Sequence, residues 1–302
     1  MLTKKSLLIF LVLLLIAAFV FFVIRNHRGK GHAATAKTEL PHYPYTLTAI
    51  DVGQGDAFLL QVYHKNILID GGRRSSDVVS YLHDLGIDTL HWVIASHPHA
   101  DHIGGLIPVF RTLPVLNVMD NGMAHTSQTY SNYRFVADSA ASAYIQGQAG
   151  WQYTFSEDAH MKVLHPFPDY QGNINNQSLV VRFQLGESSV MFTGDIEEDA
   201  ETAMVQSYPC LNTDILKIAH HGSNTSTSEM FLLATDPMVA LVSCGANNRY
   251  GHPSATIIRK LELYGVSCFR TDQHGSITLL FDGEAFSVQH RTGDALSFRP
   301  LN

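Results

Sequence analysis

The chain has 302 residues, 45% of them hydrophobic and 16% charged, which suits one large globular domain or at most two. Its net charge of −7 is unevenly spread: residues 1–40 hold six of the 20 Lys and Arg but one of the 27 acids, leaving 14 against 26 in the remainder, net −12. A domain this acidic excludes a general basic surface for long polyanions, so any phosphate chemistry must draw on local positive charge, and bound metal is the obvious source.

The N-terminus opens with Ser6–Ile24, nineteen residues without a charge, bracketed by Lys4-Lys5 and by Arg25, Arg28 and Lys30. As a helix it would span roughly 28 Å, close to a bilayer's hydrocarbon core. The reading is a single membrane anchor over residues 1–25, with the catalytic domain outside the cell membrane. A cleaved signal peptide is the alternative, since Ala34-Thr35-Ala36 resembles a cleavage site. Residues 26–44 read as a polar tether, and 45–302 as the folded domain.

From Tyr45 the chain alternates short strand patterns with helical ones. Thr46–Asp51, Phe58–Tyr63 and Asn66–Asp70 are expected as consecutive strands, followed by a helix over Ser76–Leu85 ended by Gly86. His91–Ala95 reads as a buried strand, Gly104–Arg111 as helical, and Ser127–Ile145 as one helix. Strands follow at Met161–Leu164, Ser178–Leu185, Ser189–Phe192, Asp214–Ala219 and Val239–Val242. Helices at Glu197–Gln206, Ser228–Ala234 and Ser254–Tyr264 separate them, and Val266–Arg270, Ser276–Phe281 and Ala285–Val288 close the chain as strands. Such interleaving over about 250 residues indicates a layered α/β domain.

The densest chemical signal is Ser96-His-Pro-His-Ala-Asp-His102, directly after the strand HWVIA. His97, His99, Asp101 and His102 are the imidazole and carboxylate donors that borderline divalent ions prefer, clustered in a strand-to-helix loop. Two further strands end in donors: Thr193-Gly-Asp195, and His220-His221 within Lys217-Ile-Ala-His-His-Gly-Ser223. Each is weak alone, and together with the first cluster they become specific. Asp56, Gly53 and Gly55 read as shapers of a tight turn, and Asp272 as either structural or functional. Cys210, Cys244 and Cys268 read as buried small hydrophobes, since they are odd in number and lack CxxC spacing.

Asp51-Val-Gly-Gln-Gly-Asp56, Leu68-Ile-Asp-Gly-Gly72, the HxHxDH cluster, Asn176-Gln-Ser178, Thr-Gly-Asp195, His-His-Gly-Ser223, Tyr250-Gly-His-Pro253 and Thr271-Asp272 occur in that order. Over roughly residues 45–290 the chain resembles the metallo-β-lactamase fold, and within it the soluble domain of the ComEC-type competence channel family, as a free-standing relative with one candidate span. The resemblance implies an αββα sandwich with a metal site at one edge. It assigns His97 and His99 to a first divalent ion and Asp101, His102 and one of His220 or His221 to a second, with Asp195 bridging. Many members supply a third His to the first ion before the Thr-Gly-Asp strand; here Asn173–Ser178 has none. That leaves completion to Asn176, Ser178 or water and admits a labile ion such as Mn²⁺ beside Zn²⁺. His165 is a conceivable substitute but is expected as a surface residue beside Pro166.

In this reading Asp101 and Asp195 are catalytic, and His252 protonates the leaving group. Ser223, His252, Asn176 and Ser178 contact substrate, and Asp70 orients a ligand from behind. The expected function is a phosphodiesterase or nuclease related to competence DNA processing, acting on single-stranded DNA or another phosphodiester, with no protein partner. A surface phosphodiesterase or esterase on a wall polymer or small ester is one alternative. A weakly catalytic, metal-stabilised binding module is another.

Overall fold

The computed structural model describes residues 43–291 and 295–300. The expected anchor at Ser6–Ile24, the alternative cleavage site and nearly all of the tether lie outside them. Among the described residues no helix is long and apolar enough to cross a membrane.

The first six strands, β1 (Tyr45–Ala49), β2 (Phe58–Val62), β3 (Lys65–Ile69), β4 (Leu90–Ala95), β5 (Val115–Asp120) and β6 (Ala141–Gln146), lie side by side in that order in one sheet. The chain then builds a second sheet from β7 (Gln152–Ser156), β8 (Ala159–His165), β9 (Val180–Leu185), β10 (Ser188–Phe192), β11 (Ile215–Lys217), β12 (Val239–Val242) and β13 (Ser267–Arg270). It returns to the first with β14 (Ile277–Phe281), β15 (Phe286–His290) and β16 (Leu296–Phe298), β14 pairing antiparallel with β1. Helices α1 (Val78–Asp84), α2 (Ala100–Ile103), α3 (Leu106–Thr112) and α4 (Gln128–Ala140) belong to the first half. Helices α5 (Glu198–Ser207), α6 (Glu229–Thr235), α7 (Ala255–Leu263) and α8 (Thr271–His274) belong to the second.

Three apolar clusters explain the layering. In β2 the side chains alternate: Phe58, Leu60 and Val62 face the opposite sheet, while Leu59 faces the helices. The central cluster joins those residues to Met161, Phe183, Phe192, Val190, Leu279 and Phe281 of the two facing sheets. A second packs Leu59, Leu68 and Val93 against Leu82, Leu106, Val109 and Tyr133 of α1, α3 and α4. A third packs Met191, Leu216 and Ala240 against Met204, Phe231 and Leu261 of α5, α6 and α7. Burial on both faces of both sheets gives the four layers αββα.

The helix expected over Ser127–Ile145 is corrected: it stops at Ala140, and Ala141–Gln146 pairs in parallel with β5. No Gly or Pro punctuates the junction, so only tertiary pairing distinguishes the two states. Strands β5, β7 and β16 fall where no element is expected from sequence.

Candidate metal centre

The parallel strands of both sheets deliver their C-terminal ends to one edge, the usual place for a ligand site in such sheets. There β3 ends at Asp70, β4 runs into Ser96–His102, β10 into Thr193–Asp195, and β11 into the turn holding His220 and His221. Asp70, His220 and His221 have left-handed backbones, with φ of 56°, 49° and 55°. Such conformations are uncommon outside glycine and persist where surrounding structure fixes a functional side chain. Gly55 (φ 140°) packs so tightly that a Cβ would run into the Asp101 carbonyl, which also accepts from the Asp56 N–H at 3.1 Å.

Asp195 is the hub. Its Oδ2 lies 3.2 Å from His102 Nε2, 3.6 Å from His221 Nε2, 3.8 Å from His97 Nε2 and 3.9 Å from His220 Nε2. His97 Nε2 is 3.0 Å from His99 Nδ1, and Asp101 Oδ2 is 3.8 Å from His221 Nε2. Mutually close donor atoms thus form one group of His97, His102 and Asp195 and another of Asp101, His102 and His221. Of the two adjacent histidines, the buried His221 joins Asp101 and His102, while His220 turns its Nδ1 to Glu197 at 3.4 Å.

These donors fit divalent ions on the structure's own terms. His221 Nε2 and Asp195 Oδ1 are buried without a hydrogen-bond partner, an arrangement that is costly unless a ligand completes it. The opposite ring nitrogens are fixed from behind: His102 Nδ1 meets Asp70 Oδ2 at 2.8 Å, and His221 Nδ1 meets Ser243 O at 3.0 Å and Asp56 Oδ1 at 3.1 Å. Asp70 is itself held by the Ser96 N–H at 2.8 Å and Oγ at 2.7 Å.

A buried ammonium balances part of the carboxylate charge. Lys217 donates to Gly194 O at 2.6 Å, ion-pairs with Asp56 Oδ2, and lies 3.6 Å from Asp195 Oδ1. Burial works against the ammonium, but Asp56 and Asp195 outweigh it and raise its pKa. Burial pushes the Asp195 carboxyl up, yet His102, His221 and Lys217 hold it well below the usual carboxylate range. Burial drives His97 well below the ordinary imidazole value, keeping it neutral. His102 is also buried, but Asp195 and Asp70 on either side raise it well above that value. A cation at its Nε2 would take the place of that proton.

Several expected roles change. Asp56 is no turn residue; it is a buried carboxylate between Lys217 and His221. Asn176 and Ser178, expected at the substrate, are buried and brace the Asp195 loop. Asn176 Oδ1 accepts from the Glu197 N–H at 2.7 Å, and Ser178 Oγ from the Asp195 N–H at 3.1 Å. Ser223 is also buried, its Oγ 3.0 Å from Thr225 Oγ1. His165 is no surface residue: it is fully buried, and its Nε2 donates to Asn176 O at 2.7 Å. Asp272 binds Arg270 through both oxygens, at 2.6 and 3.0 Å. Of the three free cysteines, Cys244 is buried and Cys210 is exposed.

A cleft of about 430 Å³ opens from this centre, lined by His99, Asp101, Asp195, His220, His221 and His252 and, at its mouth, by Gln54, Arg73, Arg249 and Tyr250. Arg73 reaches toward Asp101 at 3.9 Å, and its Nε donates to Gln54 O at 3.2 Å. These two arginines supply the local positive charge that an acidic domain needs, and spacing in the sequence gives no sign that they share a cleft. The importance of Lys217 and Asp56 is equally invisible there, because their pairing is a contact between sheets.

A four-layer αββα sandwich with histidines and carboxylates gathered at the strand ends defines a metallo-hydrolase fold. Residues 50–246 match the Metallo-beta-lactamase superfamily, and the chain belongs to it. Among curated relatives, it is 30% identical over 249 residues to ComE operon protein 3 of Bacillus subtilis (strain 168), covering 76% of this chain and 32% of that protein. It is 28% identical over 253 residues to Competence protein ComA of Neisseria gonorrhoeae, covering 82% and 34% respectively. The chain spans about a third of the length of these relatives, which match the ComEC-type resemblance read from its motifs. Among solved structures, Igni18, a metallo hydrolase from the archaeon Ignicoccus hospitalis KIN4/I, superposes with a TM-score of 0.51 at 17% identity. That match covers 78% of this chain and 99% of the other, and it shows the shared fold.

Proposed function

We propose that this chain is a metal-dependent phosphodiesterase, acting as a nuclease in competence-related DNA processing, and that residues 1–25 anchor it with the catalytic domain outside the membrane. The observation that carries the reading is the Asp195 carboxylate ringed by four imidazole nitrogens, with an arginine-flanked cleft opening directly above it. The printed name of one relative, a competence protein, supports DNA as the substrate.

In this reading His97, His99, Asp101, His102, His221 and Asp195 would hold one or two Zn²⁺ or Mn²⁺ ions, with His220 adjoining. Such ions acidify a water and neutralise charge growing on a phosphoryl oxygen. The chain's own groups do the rest. Arg73 and Arg249 draw the phosphodiester into the cleft and orient it. Asp70 and Asp56 hold the His102 and His221 rings in the orientation their Nε2 atoms need. His252 stands in the cleft beside His220 and His221, with ring centroids 5.7 and 6.5 Å away; burial and both neighbours lower its pKa, so it delivers a proton to the leaving oxygen from its minor protonated form.

The test is hydrolysis of labelled single-stranded DNA and of bis-p-nitrophenyl phosphate by the detergent-solubilised full chain, with Mn²⁺ or Zn²⁺. Cleavage of DNA, abolished by His97→Ala and Asp101→Ala, is the expected result. Activity on the small diester alone favours the wall-polymer or small-ester reading, for which the net charge of −12 in residues 41–302 speaks. No hydrolysis of either refutes the proposal. Loss of the domain from intact cells on protease treatment is expected of the anchored topology, and complete protection contradicts it.

A further inference from the structure

His221, His252 and Tyr250 form a run of near-parallel rings leading outward from the metal centre. His221 and His252 have centroids 6.5 Å apart at 29°, and His252 and Tyr250 lie 5.7 Å apart at 24°. The outermost ring, Tyr250, is 46% exposed at the mouth of the cleft. The Arg249 guanidinium lies over the Tyr250 ring, 4.9 Å from its centroid, and donates to its hydroxyl at 2.9 Å. Large aromatic side chains are normally buried for their area, and this one contributes to none of the three apolar clusters.

The backbone beneath the ring is also braced. Asn248 Oδ1 accepts from the Tyr250 N–H at 3.1 Å and the His252 N–H at 3.0 Å. Its Nδ2 donates to Gly245 O at 2.9 Å and His252 O at 2.5 Å. One half-buried amide thus braces the turn from Gly245 to His252, which lowers the cost of ordering its backbone around a ligand.

We propose that Tyr250, backed by His252 and sharing its ring with the Arg249 guanidinium, is a stacking platform for one unpaired nucleobase beside the scissile phosphate; this rests on the phosphodiesterase reading. An aromatic face with a guanidinium beside it recognises a planar π-system next to a phosphate. A sugar- or polyol-phosphate polymer has no such face to offer. Bases of a duplex have theirs covered by their neighbours. Arg73 and Arg249 provide two phosphate contacts, so binding is weakly salt-dependent, with a log–log slope of about −1.4 on a single strand.

The test uses the detergent-solubilised full chain with Mn²⁺ and phosphorothioate-linked, end-labelled strands that outlast cleavage. Anisotropy compares an oligothymidylate of ten nucleotides with an abasic strand of the same length and charge. The wild type is expected to prefer the base-bearing strand about 5- to 150-fold. Tyr250→Ala is expected to abolish that preference and Tyr250→Trp to keep it. Equal binding of the two strands by the wild type, a preference that survives Tyr250→Ala, or equal affinity for duplex overturns the inference. Hydrolysis of bis-p-nitrophenyl phosphate is followed in parallel. Hydrolysis without base preference refutes the platform alone, whereas a Tyr250-dependent preference without any hydrolysis supports the platform and removes the phosphodiesterase reading.

Discussion

Replacing Lys217 with methionine keeps the length of the side chain and deletes the buried ammonium among the carboxylates of the centre. At 3.6 Å from Asp195, and with an effective dielectric near 20, that single attraction is worth about 5 kcal/mol before desolvation is subtracted. The Asp56 pairing adds to it. Removing one partner of a buried pair costs about 3–5 kcal/mol, because the other charge stays buried and uncompensated. In EDTA, Lys217→Met should therefore lower the Tm by about 6–20 °C, at roughly 2–4 °C per kcal/mol for a domain of this size. Bound divalent ions beside Asp195 compensate part of the missing charge, so in saturating Mn²⁺ the loss should shrink to less than half. Differential scanning calorimetry with and without metal reads both numbers. A metal-free loss under about 1 kcal/mol, or an equal loss in both conditions, would refute the electrostatic reasoning.

Asp70→Asn keeps shape but removes the charge behind His102 Nδ1; metal affinity or metal-dependent activity should fall about 10- to 100-fold, read by metal titration. Burial holds His165 down to a pKa of about 4, below its unfolded value of 6.5, so its contribution is complete above pH 6.5 and is lost as pH falls through 4. Urea melts should show His165→Gln losing about 2.5 kcal/mol less than wild type between pH 7 and 4.5; an unchanged pH dependence would contradict the neutral assignment. Phe183→Ala empties a central position packed edge-on against Phe192, at 5.8 Å between centroids, and should cost about 3–5 kcal/mol in the same melts. A loss below about 1 kcal/mol would mean that the two sheets do not share the core described.

The sequence by itself determined the donors. The HxHxDH run, Thr-Gly-Asp195 and His-His-Gly-Ser223 each follow a β-pattern, and local periodicity tells that a strand ends there whatever its neighbours are. The tertiary structure alone decided what depends on contacts across long separations. Asp56 reads as a turn residue until Lys217, from the other sheet, meets it. Arg73 and Arg249 are ordinary surface arginines until the two sheets set them on one cleft. Asn176 and Ser178 sit in a plausible substrate loop until their hydrogen bonds are seen to go to the backbone of Asp195 and Glu197. His221 is distinguished from His220 by its burial and by its approach to Asp101 and His102. Residue type and spacing fix which chemistry a segment can offer; partners distant in the chain fix which of those groups faces solvent, a carboxylate or the site, since burial and charge act through space.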